Sequence, residues 1–194
     1  MDHSVHLRNA AVPDFPRILE LNEESVHHLS PLTPERLQWL HAAAAYHRVA
    51  VDGGEVVAFL LALREGGTYD SPNYLWFAES YDRFLYVDRV VVSSLSQGIG
   101  IGRRLYADLF SFAKQSQVTR VTCEYDIEPP NEASRRFHEA LGFREVGTQS
   151  VAAGKKRVSL QGMSLPSEEV SGLVRPAGLP GVHGARPHRP DDRQ

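Results

Sequence analysis

With 194 residues, 42% of them hydrophobic and 23% charged, the chain has the composition of an ordinary globular protein, long enough for one domain with a sizeable core. A net charge of −3 speaks against nucleic acid or an acidic membrane surface as partner, and no apolar run reaches membrane-spanning length. The lone cysteine, Cys123, excludes an internal disulfide, and the first residues lack a basic-then-apolar leader, so a reducing, cytoplasmic setting is expected.

In chain order, residues 5–8 read as a short first strand. Pro13 and Pro16 suit the first turn of a helix that carries Phe15, Ile18, Leu19, Asn22 and Val26 on one side. The segment 30–34 breaks it. Thr33 then offers an N-cap and Pro34 a first position for a second helix, expected to run through Ala45. Tyr46–Asp52 and 55–63 alternate as strands around Gly53-Gly54, a hairpin. Residues 64–83 are irregular and rich in aromatics, which predicts a substrate-facing loop with short helical content; the other reading is that the aromatics simply cover the sheet.

Leu85–Val92 is an apolar, β-branched run, expected as a buried strand. Ile101, Leu105, Leu109 and Phe112 recur at helical spacing down to about Ser116. Between them lies Gln97-Gly98-Ile99-Gly100-Ile101-Gly102-Arg103. A glycine loop feeding a helix N-terminus offers unpartnered N–H groups and positive potential, and so predicts a phosphate cradle. It lacks the Gly-Lys-Ser/Thr ending of a P-loop and the third glycine of a dinucleotide fingerprint. Residues 119–125 form a further expected strand, and Pro129-Pro130 precede a helix over Glu132–Leu141 that Gly142 ends. Strands are expected at 143–151 and 156–163. From 166 to 194 the composition shifts: five of the twelve prolines fall there, among Gly, Arg and His, and a disordered tail is expected, with His183 and His188 solvated.

What remains of the loop is Gln-x-x-Gly-x-Gly at Gln97, Gly100 and Gly102, which resembles the pyrophosphate-binding motif of the GNAT superfamily of acyl-CoA N-acetyltransferases. A second segment, Asn131-Glu132-Ala133-Ser134-Arg135-Arg136-Phe137-His138-Glu139-Ala140-Leu141-Gly142-Phe143, is similar to that family's other signature, with His138 where a tyrosine is usual. The resemblance covers roughly residues 5–165. It implies an α/β (α+β) fold with a mixed, largely antiparallel sheet of six to seven strands and helices on both faces, as the order β-α-α-β-β-β-α-β-α-β-β also suggests. It further implies transfer of an acetyl group from acetyl-CoA, a co-substrate, to an amine, with no metal.

Carried over residue by residue, the resemblance sets the coenzyme A pyrophosphate on the N–H groups of Gly98, Ile99, Gly100, Gly102 and Arg103, with Gln97 and Arg103 at the rim. The pantetheine arm would run along Val90, Val91 and Val92, one of whose N–H groups is the expected oxyanion donor. Asn131, with Ser134, would approach from the other side. Asp88 and, second, Glu124 are candidate bases for the amine. Asp88 read plainly is instead a partner for an arginine. His138 is a candidate acid for the leaving thiolate, or a packing residue. Cys123 reads as core. The acceptor is an unidentified amine. The competing readings are a non-catalytic acyl-CoA sensor and an enzyme that uses the loop for a nucleotide. Nothing in the sequence separates monomer from homodimer.

Overall fold

The computed structural model describes residues 5–27 and 29–166; the expected tail lies outside the described residues. The elements follow as β1 (His6–Asn9), α1 (Phe15–Glu24), α2 (Pro34–Ala43), β2 (Tyr46–Asp52), β3 (Glu55–Arg64), α3 (Pro72–Ser80), β4 (Leu85–Val92), α4 (Ile101–Gln115), β5 (Arg120–Glu128), α5 (Glu132–Leu141), β6 (Arg144–Val151) and β7 (Lys156–Ser164). The strands make one mixed sheet in the order β1-β2-β3-β4-β5-β7-β6. All neighbours in it are antiparallel except β4 and β5.

Residues 64–83 are more regular than a loop with short helical content. Ser71 caps a helix through its side chain, which accepts from Tyr74 N–H, and Pro72 takes the first position, so nine residues wind into α3. Tyr74 and Phe77 of that helix are almost wholly buried with Phe84 and Tyr86. The aromatics therefore do cover the sheet. Tyr69, Ser71, Pro72 and Asn73 nevertheless line the main cleft, so the segment serves both ends. The second helix stops at Ala43 rather than Ala45, because Ala44 turns to extended backbone.

Each sheet face has its own core. On one, Ile101, Leu105, Tyr106, Leu109 and Ala113 of α4 pack on Ala58, Leu60, Val87 and Val121, with Phe137 and Leu141 of α5 beside them. On the other, α1 and α2 bring Ile18, Leu21 and Leu37 onto Val49, Phe59 and Val91, and α3 covers Leu61, Leu63 and Leu160. A fully buried side chain of this kind contributes ~1.5–3 kcal/mol, so these layers hold the sheet from both sides.

Two irregularities place the site. The parallel pair β4–β5 is in register only at Leu85↔Val121 and Tyr86↔Thr122, after which the strands part. Against β3, the register shifts between Leu61↔Arg89 and Ala62↔Val87, so Asp88 is the extra residue of a β-bulge. Tyr86, Asp88, Arg89 and Val91 thereby share the α1–α3 face, while Val87, Val90 and Val92 share the α4 face.

Candidate active site

Where β4 and β5 separate, a cleft of about 1000 Å³ opens. Its lining comes from both faces of the sheet. On the α4 side it includes Gly98, Gly100, Gly102 and Arg103; on the α1–α3 side it includes Asp88, Arg89 and Glu124. We call these the donor half and the acceptor half.

In the donor half, α4 begins at Ile101 behind Gly100, which sits at φ +89° and supplies no capping side chain. In contrast, α2, α3 and α5 are each capped by a side chain, from Thr33, Ser71 and Asn131. The first-turn N–H groups of α4, at Ile101, Gly102 and Arg103, thus have no partner within the helix and face the cleft. A Cβ on Gly102 would meet the Phe137 ring at 3.1 Å, so glycine is what lets α5 pack close to this terminus. Gln97 folds back, its Nε2 donating to the Val92 carbonyl at 3.2 Å. Asn131 Oδ1 accepts from Ser134 N–H at 3.0 Å, which fixes both at the start of α5.

His138 is 3% exposed and lies at the cleft's inner wall. Its Nδ1 is 2.8 Å from the Ser134 carbonyl, which can accept but not donate. The proton therefore sits on Nδ1, and Nε2 accepts from the Tyr106 hydroxyl, also at 2.8 Å. Burial pushes the imidazole pKa down, which favours this neutral form.

In the acceptor half, Asp88 accepts from Tyr69 Oη at 2.5 Å and from Arg89 Nε at 3.2 Å. Burial raises its pKa, although Arg89 and Tyr69 pull the other way. Arg89 Nη1 also donates to Asn22 Oδ1 at 2.6 Å and to the Ser30 carbonyl at 2.8 Å. Glu124 differs. Its Oε1 accepts from Tyr86 Oη at 2.9 Å, while Oε2 is buried with no hydrogen-bond partner among the described residues. Burial first, and the nearby Asp88 charge second, lift its pKa to about 8. Further out, Lys156 pairs with Asp126 at 2.8 Å.

A model of the Acetyltransferase (GNAT) family matches residues 7–143. The chain belongs to the GNAT family. The match ends at Phe143, the last residue of the second motif, so it takes in both motif segments, while Val151, Ala152, Lys156 and Val158 of the cleft lie beyond it. The chain is 34% identical to phosphinothricin N-acetyltransferase of Streptomyces coelicolor over 122 residues, 61% of this chain and 66% of that protein, just under two thirds of the relative's length. Among solved structures, Ard1 from Thermoplasma volcanium superposes with a TM-score of 0.69 at 14% identity, covering 84% of this chain and 99% of that one. Arabidopsis thaliana Naa50 in complex with the bisubstrate analogue CoA-Ac-MVNAL superposes with a TM-score of 0.63 at 17% identity, covering 84% and 99%. At these identities the likeness speaks for the GNAT fold.

The GNAT cleft gathers the sequence candidates into two groups. Val90, Val92, Gln97, Gly98, Gly100, Gly102, Arg103, Asn131, Ser134 and His138 line its donor side, and Val91 lines it from the face that Asp88 shares. Ile99 is outside that lining and is 62% exposed. Asp88 and Glu124 stand on the other face. Sequence reasoning missed Tyr69, Tyr86, Arg89 and Tyr106. Tyr86 had a visible signal, since it precedes Asp88 by one strand period. Tyr106 is helical and five residues beyond Ile101, where it read as ordinary core.

Proposed function

We propose that the protein moves an acetyl group from acetyl-CoA to a primary amine by direct attack, with both substrates in the cleft at once. One observation carries this reading: a single cleft joins an uncapped helix N-terminus on one face of the sheet to a buried, unpaired carboxylate on the other. The donor set suits the co-substrate. The N–H groups at the start of α4 are anion donors, and Val90 to Val92 border the opening where an extended arm would lie.

An ammonium entering the acceptor half gives one proton to Glu124, which passes it to solvent. The free amine attacks the thioester carbonyl carbon, the C–N bond forms and the C–S bond breaks. A backbone N–H of the Val90–92 segment supports the charge that develops on oxygen. The second proton of the amine ends on sulfur, so that free coenzyme A and the amide depart. We assign reception of the sulfur to the Tyr106–His138 pair rather than to His138 alone, since the Nδ1 proton of His138 is held by Ser134. Asp88 is proposed to hold Tyr69 and Arg89 in place.

The test is thiol release over an amine panel that includes phosphinothricin, the acceptor named for the curated relative. Initial-rate lines that intersect support direct attack, and parallel lines rule it out. Acetyl-CoA binding without release by any amine would favour a sensor.

A further inference from the structure

The charge pattern of the acceptor half points to more than an amine. Among the described residues there, two oppositely charged pairs are already complete. Arg89 and Asp88 are joined at 3.2 Å with both side chains no more than 7% exposed, and Arg89 is further held by Asn22 and Ser30. Lys156 and Asp126 are joined at 2.8 Å. Glu124 has no opposite charge beside it. Among the described residues, the wall between these groups carries no further carboxylate or guanidinium: it mixes Val26, Leu29, Pro31, Tyr69 and Val158 with the uncharged polar Ser25, Ser30, Ser71 and Asn73, and His27.

A charge taken out of water needs a partner, and one that displaces an existing pair leaves another charge exposed to the same penalty. One ammonium finds Glu124. A second ammonium finds Asp88 and Asp126 engaged, and a carboxylate finds Arg89 and Lys156 engaged. We infer that the acceptor is a monoamine with no second charge. This rests on the transfer reading above and narrows it, because amino acids and polyamines are disfavoured.

The test measures kcat/KM with acetyl-CoA and the full chain for 2-phenylethylamine and hexylamine, against putrescine and glutamate. The monoamines are expected to lead by ~100-fold, the scale on which a pocket without a partner for it rejects an added polar group. Asp126→Asn releases Lys156 from its pair. It should therefore raise the ratio of glutamate to 2-phenylethylamine turnover by ~10-fold, the effect of one added favourable contact. Glutamate or putrescine turned over as well as the monoamines would overturn this inference while leaving acetyl transfer standing. An unmoved ratio in Asp126→Asn would do the same. No thiol release with any amine would remove the transfer reading, and this inference with it.

Discussion

Glu124 holds a proton that an exposed glutamate would have lost, because burial and the Asp88 charge both oppose its ionisation. Its pKa of about 8 fixes the sign of two effects. A base must be ionised, so kcat/KM should climb as pH rises through about 8, and Glu124→Gln should lose this limb along with ~100-fold or more of kcat, the usual scale for a general base. Stability runs the other way. Between the ordinary value of 4.5 and about 8 the folded chain keeps a proton that the unfolded chain has released. Stability is therefore greatest below that window and falls as pH rises through it. Melting curves from pH 4.5 to 8.5 should show Glu124→Gln flatter than the parent; a parallel pair of curves would contradict the assignment. His138→Ala strands the Tyr106 hydroxyl in the core and loosens the proposed sulfur site. Turnover should drop ~10-fold or more, with the Kd for acetyl-CoA changing less, as calorimetry beside steady-state rates would show. At this scale the sequence was informative where chemistry sat in a motif. The second motif singled out His138, while Asp88 and Glu124 came from strand position alone; all three line the cleft, but which carboxylate is paired depends on where Arg89 points, and the bulge at Asp88 decides that.

The start of α4 is an element-level device. Gly100 at φ +89° turns the chain into the helix without a side chain over the terminus. Gly100→Ala forces that left-handed conformation on a residue with a Cβ, at ~1–2 kcal/mol. Melting should fall by about 2–4 °C for each kcal/mol, and acetyl-CoA binding should weaken ~10-fold as the first-turn N–H groups shift, about the cost of one hydrogen bond to a charged group. Unchanged affinity in titration calorimetry would show that this terminus does not hold the co-substrate. The loop and both its flanking elements were legible because a β-branched run, a glycine cluster and a 3.6-residue period follow one another. α3 was less so. Its aromatics break no period cleanly, since Tyr74 and Phe77 face the core while Leu75 is 46% exposed. Yet Ser71-Pro72 was a sound helix-start signal, hidden by the nearby glycines at 66 and 67. The bulge at Asp88 left no trace, because valines on either side read equally well in both registers.

At the scale of the whole molecule, the sheet is nearly two sheets. β4 and β5 are joined by only two register pairs, and α4, which packs on Val87 and Val121, and α3, which covers Leu63 and Leu160, bridge the seam. No local sequence pattern announces that seam, since each strand is well formed on its own and the parting is set by what lies between them. A ligand that fills the opening should therefore tie the halves together. Coenzyme A at 100 times its Kd would stabilise the folded chain by ~2.7 kcal/mol, a rise in melting temperature of roughly 5–10 °C for a chain of this length. Hydrogen exchange locates the effect. Amides of β4 beyond Tyr86 and of β5 beyond Thr122 should slow on binding, while those of the β2–β3 hairpin, remote from the seam, should slow much less. Uniform slowing across the sheet would mean that the ligand stabilises the fold as a single unit, and would count against a seam closed by its substrate.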